Sequence, residues 1–108
     1  MRILRASDFG ITRSALVYWN LTRPSLGQIN QVSFGFDPIA EGDVTTIIFG
    51  EKAEMHLSGT NCGYGGEGPH GSFQILMEIG VPKDLAELVF RQRRLTFTRT
   101  FDGTWKVE

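Results

Sequence analysis

Residues 58–72 read Ser-Gly-Thr-Asn-Cys-Gly-Tyr-Gly-Gly-Glu-Gly-Pro-His-Gly-Ser, and this glycine-rich segment separates two kinds of sequence. Runs typical of strands come before it, and the periodicity becomes helical after it. So many glycines cost conformational entropy on folding, so they are expected where the backbone takes a positive φ or allows a close approach. The segment also contains the only cysteine, Cys62, together with Tyr64 and His70. We therefore expect the functional site here.

Five runs before the glycine-rich segment are predicted to be strands: residues 1–5, 15–22, 28–36, 44–49 and 53–57. They are rich in β-branched and aromatic residues, or they alternate between apolar and polar positions. In the third run, Val32, Phe34 and Phe36 share one side, which is expected to face the core. In the last run, His56 lies on the side opposite Met55, and this side is expected to face solvent.

The chain after the segment is predicted to form two short helices and a final hairpin. Phe73, Leu76 and Met77 recur at helical spacing and make the expected inner face of the first helix, which Ile75 and Ile79 widen. Pro82 opens the second helix, and strands follow on either side of an Asp-Gly turn at Asp102. Because strands cluster away from helices, we predict an α+β fold. It should have a mainly antiparallel sheet of about five or six strands, with two short helices packed on one face.

Length and composition indicate a single globular domain over residues 1–108. Hydrophobic residues make up 41% of the chain and charged residues 21%, as in ordinary globular proteins. The net charge of −1 gives no general attraction to nucleic acid or to an acidic membrane. One cysteine cannot form an internal disulfide, the start of the chain lacks a signal-peptide pattern, and no apolar run approaches the ~20 residues of a membrane span. We therefore predict a cytoplasmic protein that does not associate with membranes.

The second half of the glycine-rich segment could bind an anion. From Gly66 to Gly71 it matches the pattern G-x-G-x-x-G and precedes the first predicted helix. Backbone N–H groups at such a position can hold phosphate or carboxylate. Glu67 adds an unfavourable charge, Pro69 removes a donor, and residues 58–65 separate the pattern from the preceding strand. A dinucleotide fold is therefore not expected, and the alternative to a small anionic ligand is a purely structural connection.

Cys62 is a candidate nucleophile, because a thiolate beside the imidazole of His70 or His56 would be reactive. Such pairs are recognised by geometry, however, and the alternative is a small buried side chain. The spacing of these three residues matches no standard zinc site, so we predict neither a metal nor a cofactor.

A basic run near the end of the chain contains Arg91, Arg93 and Arg94, and aromatic residues follow it at Phe97 and Trp105. Basic residues interleaved with aromatics can bind RNA or single-stranded DNA. The overall charge is nearly neutral, and arginines favour helix C-termini in any case. Nucleic acid is therefore not the expected partner.

The string Asn61-x-Gly63-Tyr64-Gly65-Gly66-x-Gly68-Pro69, followed by an apolar helix, resembles a motif of small bacterial and phage domains of unknown function. The match covers about residues 59–80. Members often carry an aromatic residue where Cys62 stands here, which makes a thiol mechanism less expected. Domains of this kind often belong to conflict systems, so the resemblance implies an inhibitor, immunity or counter-defence protein, and it assigns no catalytic residue.

These patterns together predict a non-enzymatic module that binds a protein partner. One alternative is a binder of a small anionic ligand, and a second is a Cys/His thiol enzyme using Cys62 and His70. The candidate contact residues are Asn61, Tyr64, Gly65, Gly66, Gly68, His70, Gly71 and Ser72. Tyr64 is expected to be central, because tyrosine offers a large contact area at a low entropic cost. The glycines around it are expected to hold a fixed shape by taking positive φ angles.

Overall fold

Six strands form one sheet in the computed structural model of the chain, which describes residues 1–108. They are β1 (Arg2–Arg5), β2 (Ile29–Gly35), β3 (Thr46–Gly50), β4 (Ala53–Leu57), β5 (Arg94–Arg99) and β6 (Trp105–Val107). Their order across the sheet is β1-β4-β3-β2-β5-β6. β1 runs parallel to β4, and all other neighbours are antiparallel. The predicted α+β class and mainly antiparallel sheet are therefore confirmed.

Three α-helices accompany the sheet: α1 (Thr12–Thr22), α2 (Glu67–Glu78) and α3 (Lys83–Ala86). Single turns of 3₁₀ helix extend α1 over Arg23–Leu26 and α3 over Glu87–Phe90. The buried residues of α1 and α2 belong to the same hydrophobic core as the buried residues of the strands. The sequence predicted two helices rather than three, because α1 was expected to be a strand. None of these helices has the length and apolar character needed to cross a membrane.

The run 15–22 is helical, and its prediction as a strand was wrong. Ala15 and Trp19, four residues apart, are buried, whereas Val17 between them is exposed. Strict alternation would have put all three on one face, so the packing follows the helical period. The Trp19 indole donates a hydrogen bond to Glu78 of α2 at 2.8 Å. Burial against α2 and the sheet therefore outweighs the intrinsic β propensity of this run.

One side of the sheet faces the helices and carries the core. Val32 and Phe34 are fully buried there, as predicted. The strand register places Val32 beside Ile48 on one neighbour and beside Phe97 on the other, and Met55 lies beyond Ile48. Phe34 and Phe97 meet edge-on with ring centroids 5.9 Å apart. The predicted buried side of 53–57 is also confirmed.

Two predictions about solvent exposure were wrong. Phe36, expected in the core, lies just past the end of β2 and is 37% exposed. His56, expected to face solvent, is only 7% exposed, and its Nε2 lies 2.9 Å from Glu54. Glu41 and Val44, from the connection between β2 and β3, line the same small cavity as His56. This connection therefore covers part of a sheet face that alternation alone leaves open.

The inner face of α2 differs from the predicted one. Leu76 and Ile75 are fully buried as expected, but Met77 is 41% exposed. Phe73 is half-buried. Gly71 lies against α1, where a Cβ would come within 2.7 Å of a methyl group. Because α1 approaches this closely, the side of α2 that carries its small residues faces inward.

Candidate functional site

The buried carboxylate of Asp8 binds the first two residues of the glycine-rich segment. Asp8 accepts hydrogen bonds from the backbone N–H groups of Ser58 and Gly59, at 2.9 and 3.0 Å, and from the Ser58 hydroxyl. The Gly10 N–H donates to the Ser58 hydroxyl oxygen at 3.0 Å. Gly59 lies so close to the carbonyl of Ile11 that a Cβ would overlap it. The start of α1 and the start of the segment are therefore held together.

Buried hydroxyl groups hold the irregular backbone that follows. The hydroxyls of Thr45 and Thr46 donate to the Thr60 carbonyl at 2.5 and 2.8 Å. Farther on, the Ser72 hydroxyl lies 2.6 Å from the Asn61 carbonyl and 3.2 Å from the Gly68 carbonyl. Buried backbone groups need such partners. These hydrogen bonds fix the conformation of the segment, and the buried Ser72 hydroxyl supplies two of them.

Cys62 and His70 do not form an accessible catalytic pair. Cys62 is fully buried, and burial raises the pKa of its thiol to about 11, although Arg94 opposes the shift. His70 is exposed on α2, with Nδ1 2.9 Å from the Gly66 carbonyl and its ring 4.7 Å from that of Phe90. No hydrogen bond links the thiol to a histidine. A buried, protonated thiol is a poor nucleophile.

The same histidines and cysteine do not build a metal site either. No group of three or more His, Cys, Asp or Glu side chains is arranged to hold a metal ion. His56 is engaged with Glu54, and Cys62 lies in the hydrophobic core.

The glycines serve close packing more than backbone strain. Only Gly63 of the segment has a positive φ, of 103°, so the prediction of positive φ at Gly65 and Gly66 was wrong. A Cβ at Gly66 would overlap the Tyr64 ring, and a Cβ at Gly68 would lie 3.0 Å from the Tyr64 hydroxyl. Gly65 has open space on its Cβ side. Gly66 therefore lies directly under the Tyr64 ring, whereas Gly68 packs against the Asn61 side chain and approaches only the Tyr64 hydroxyl.

Tyr64 joins two other side chains in an exposed cluster, which we call the Tyr64 patch (Tyr64, Phe36 and Arg93). The Tyr64 ring meets the Phe36 ring at 83°, with centroids 5.8 Å apart. The Arg93 guanidinium lies 3.9 Å from the centre of the Phe36 ring, a cation–π contact. Two backbone hydrogen bonds hold the parts together: Gly63 N–H to Val89 O at 2.7 Å, and Phe36 N–H to Arg93 O at 2.9 Å.

A shallow groove of about 340 Å³ lies on the other side of Tyr64, between the starts of α1 and α2. Ile11 and Asn61 line it, and the buried Asn61 Oδ1 has no hydrogen-bond partner. Glu67 is the charged residue of the lining, which contains no Lys or Arg. A larger groove of about 570 Å³ between α1 and α2 is lined by His70, Glu67 and Arg13 among others, so one basic residue faces one acidic residue there. Neither groove concentrates positive charge.

The eight predicted contact residues fall into two groups. Five of them are exposed or half-buried: Asn61, Tyr64, Gly65, Gly66 and His70. The other three are buried: Gly68, Gly71 and Ser72. The buried three support the site by packing and cannot themselves contact a partner. Sequence reasoning missed Phe36, which it assigned to the core, and it did not connect Arg93 with Tyr64. The position of Phe36 at the end of its run, directly before Asp37-Pro38, was the one available signal.

Comparison with known proteins finds no match: no family model, no curated protein and no solved structure is similar to this chain. The resemblance of residues 59–80 to small bacterial and phage domains therefore stays a prediction. Function has to be inferred from the residues of the site itself.

Proposed function

We propose that this chain is a non-enzymatic binding module that engages a protein partner through the Tyr64 patch. The observation that carries the proposal is the contact of an exposed Tyr, an exposed Phe and an exposed Arg in one place. Aromatic residues and Arg are enriched at protein interfaces, and Tyr and Arg are prominent among the residues that dominate binding energy. A single exposed aromatic side chain would need no explanation. Two exposed aromatic rings in contact with each other, one of them also in contact with an arginine, favour a binding surface.

Preorganisation of Tyr64 supports the same proposal. Its ring rests on Gly66 and against Phe36, so little side-chain freedom is left to lose on binding. The residue is 40% exposed, and its hydroxyl makes no hydrogen bond within the chain. A tyrosine held in this way offers a rigid ring and a free polar end to a partner.

The two alternative functions have less support from the site. A small anionic ligand in the groove beside Tyr64 would face Glu67 without a Lys or Arg in the lining, and Pro69 supplies no N–H. A thiol enzyme would need an accessible thiolate, whereas Cys62 is buried and its pKa is raised. A cytoplasmic location is part of the proposal, because the single cysteine cannot form an internal disulfide.

Site-specific photo-cross-linking in the cells that naturally make the protein tests the proposal. One variant carries p-benzoylphenylalanine in place of Tyr64, and the matched control carries it in place of Phe101, a fully exposed aromatic on the β5–β6 turn. We expect a discrete protein adduct from position 64 that is absent from position 101 and that diminishes when Arg93→Ala is added. Adducts that are the same from both positions, or none from position 64, would refute a protein-binding role for the patch.

The partner's identity then tests the inhibitor or immunity role. Mass spectrometry of the adduct identifies the protein that was captured. An inhibitor should abolish that protein's activity when the two are mixed in equal amounts, and Tyr64→Ala should restore the activity. Unchanged partner activity would leave a binding module of another kind.

A further inference from the structure

Basic residues adjoin the Tyr64 patch and are poorly neutralised. Arg91, Arg93 and Arg94 are all exposed. The only ion pair in this region joins Arg93 to Asp37 across 3.8 Å, with side chains that are 65% and 81% exposed. A pair this open to water is worth little. The patch therefore keeps a positive charge in an otherwise slightly acidic chain.

The distribution of charge over the whole chain sharpens this contrast. The chain has 11 Lys and Arg residues and 12 Asp and Glu residues. Three of the former, Arg91, Arg93 and Arg94, and two of the latter, Asp37 beside Arg93 and Glu67 beside Tyr64, belong to this region, which leaves eight basic and ten acidic residues elsewhere. A negatively charged partner is therefore attracted to the patch and repelled by the rest of the surface.

We propose that the partner presents an acidic segment, in which an Asp or Glu carboxylate binds Arg93 and a neighbouring apolar or aromatic side chain packs on Tyr64 and Phe36. This inference rests on the proposed protein-binding function. One face of the Arg93 guanidinium lies on the Phe36 ring, which fixes its plane. Its N–H groups make no hydrogen bond within the chain, and its ion pair with Asp37 is long and open to water, so a partner's carboxylate can displace Asp37 and bind the guanidinium edge in a bidentate contact.

Nucleic acid is the competing ligand chemistry, and the charge distribution disfavours it. A nucleic-acid surface needs an extended run of cations to follow successive phosphates. The exposed arginines beside the patch span only residues 91–94, and the neighbouring groove carries Glu67 and no Lys or Arg. A compact positive spot beside two aromatic rings fits a short acidic and apolar protein segment better than a polyphosphate backbone.

Selection from a random linear peptide library displayed on phage tests the inference with the full-length protein. Clones are retained if they bind wild-type protein and lose binding to Tyr64→Ala. We expect these clones to be enriched in Asp or Glu next to apolar or aromatic residues, relative to the unselected library. Synthetic peptides from them should bind Arg93→Gln roughly 10- to 100-fold more weakly than wild type, as loss of a charge-assisted hydrogen bond predicts. Arg2→Gln, at an exposed arginine of the edge strand β1, is the matched control and should change nothing.

Three other results would overturn the inference. Tyr64-dependent peptides without acidic enrichment would refute the acidic segment but leave the protein-binding function standing. A library that yields no Tyr64-dependent clone would count against both. Fluorescent oligo(dT) or oligo(U) that binds tightly near physiological salt, and loses binding in Arg93→Gln, would replace the protein partner with a nucleic acid. Salt gives a further check, because the screening length falls from about 8 Å at 0.15 M to about 3 Å at 1 M and should weaken the peptide contact.

Discussion

The Tyr64 ring meets the Phe36 ring edge-on, with 5.8 Å between the centroids and 83° between the planes. This contact joins the glycine-rich segment to the end of β2. Edge-to-face aromatic pairs contribute about 0.5–1.5 kcal/mol beyond the area they bury. The pair is therefore strong enough to orient Tyr64 and weak enough to leave the fold intact without it.

Replacing Tyr64 should separate binding from stability. Tyr64→Ala removes a ring that is 40% exposed, so we expect the free energy of unfolding to fall by only about 1–2 kcal/mol while partner binding is lost. Tyr64→Phe is the control and should leave stability unchanged, because the hydroxyl has no partner in the chain. Denaturant unfolding measures both variants. A loss of several kcal/mol in Tyr64→Ala would identify the ring as a core plug instead of a contact.

The support beneath Tyr64 can be tested with neighbouring glycines. Gly66→Ala should displace the Tyr64 ring, because its Cβ would overlap that ring, whereas Gly65→Ala meets open space and neither glycine has a positive φ. We expect the NMR signals of the Tyr64 ring to shift strongly in Gly66→Ala and hardly at all in Gly65→Ala. Stability in Gly65→Ala should stay within about 0.5 kcal/mol of wild type. Equal effects of the two substitutions would show that Tyr64 does not rest on Gly66.

Periodicity in the sequence predicted the sheet well but failed at α1. In β2 and β4 the apolar side predicted from alternation is buried, although in β4 His56 on the opposite side is buried as well. α1 carries β-branched and aromatic residues, and its helical state depends on burying Ala15 and Trp19 against elements far away in the sequence. Such tertiary contacts override propensity and cannot be read from a local window.

The candidate site was predicted in part, because composition marks a segment but not its neighbours. The density of glycines drew attention to Tyr64, which the structure exposes. Phe36 and Arg93 come to it from other parts of the chain, through the end of β2 and the start of β5. The glycines also proved to serve close contacts, which depend on what lies opposite each one.

The rotation of α2 gives a matched pair of truncations. Leu76 is fully buried and Met77 is 41% exposed, although the two are adjacent. Leu76→Ala should lower the free energy of unfolding by about 2–5 kcal/mol, because it leaves a cavity. Met77→Ala should cost less than about 1 kcal/mol. Similar losses for both in urea unfolding would restore the inner face predicted from sequence.

Asp8 is expected to stabilise the start of the glycine-rich segment. Its carboxylate accepts the N–H groups of Ser58 and Gly59 from a buried position. Asp8→Asn preserves shape but replaces one acceptor with a donor, so we expect a loss of about 1–3 kcal/mol and faster amide exchange at residues 58 and 59. The exposed Asp43 provides the control, and Asp43→Asn should be nearly neutral. Unchanged exchange in Asp8→Asn would show that the carboxylate does not hold the segment.

Burial of Cys62 should make stability depend on alkaline pH. The folded state raises the pKa of the thiol from the ordinary value of 9.0 to about 11. The unfolded chain therefore releases this proton first, so the contribution is complete below pH 9 and is lost as the pH rises towards 11. Its size is at most about 2–3 kcal/mol. Thermal or denaturant unfolding across this window measures the loss.

Cys62→Ala isolates the thiol from the other groups that titrate at alkaline pH, since these are common to both proteins. Stability of the variant should fall less steeply than that of wild type between pH 9 and 11. Iodoacetamide gives an independent reading: the buried thiol should react slowly in the folded protein and quickly in denaturant. Rapid labelling of the folded protein at neutral pH, with equal alkaline slopes for both proteins, would mean that Cys62 is an accessible thiolate, and a thiol enzyme would then become the better proposal.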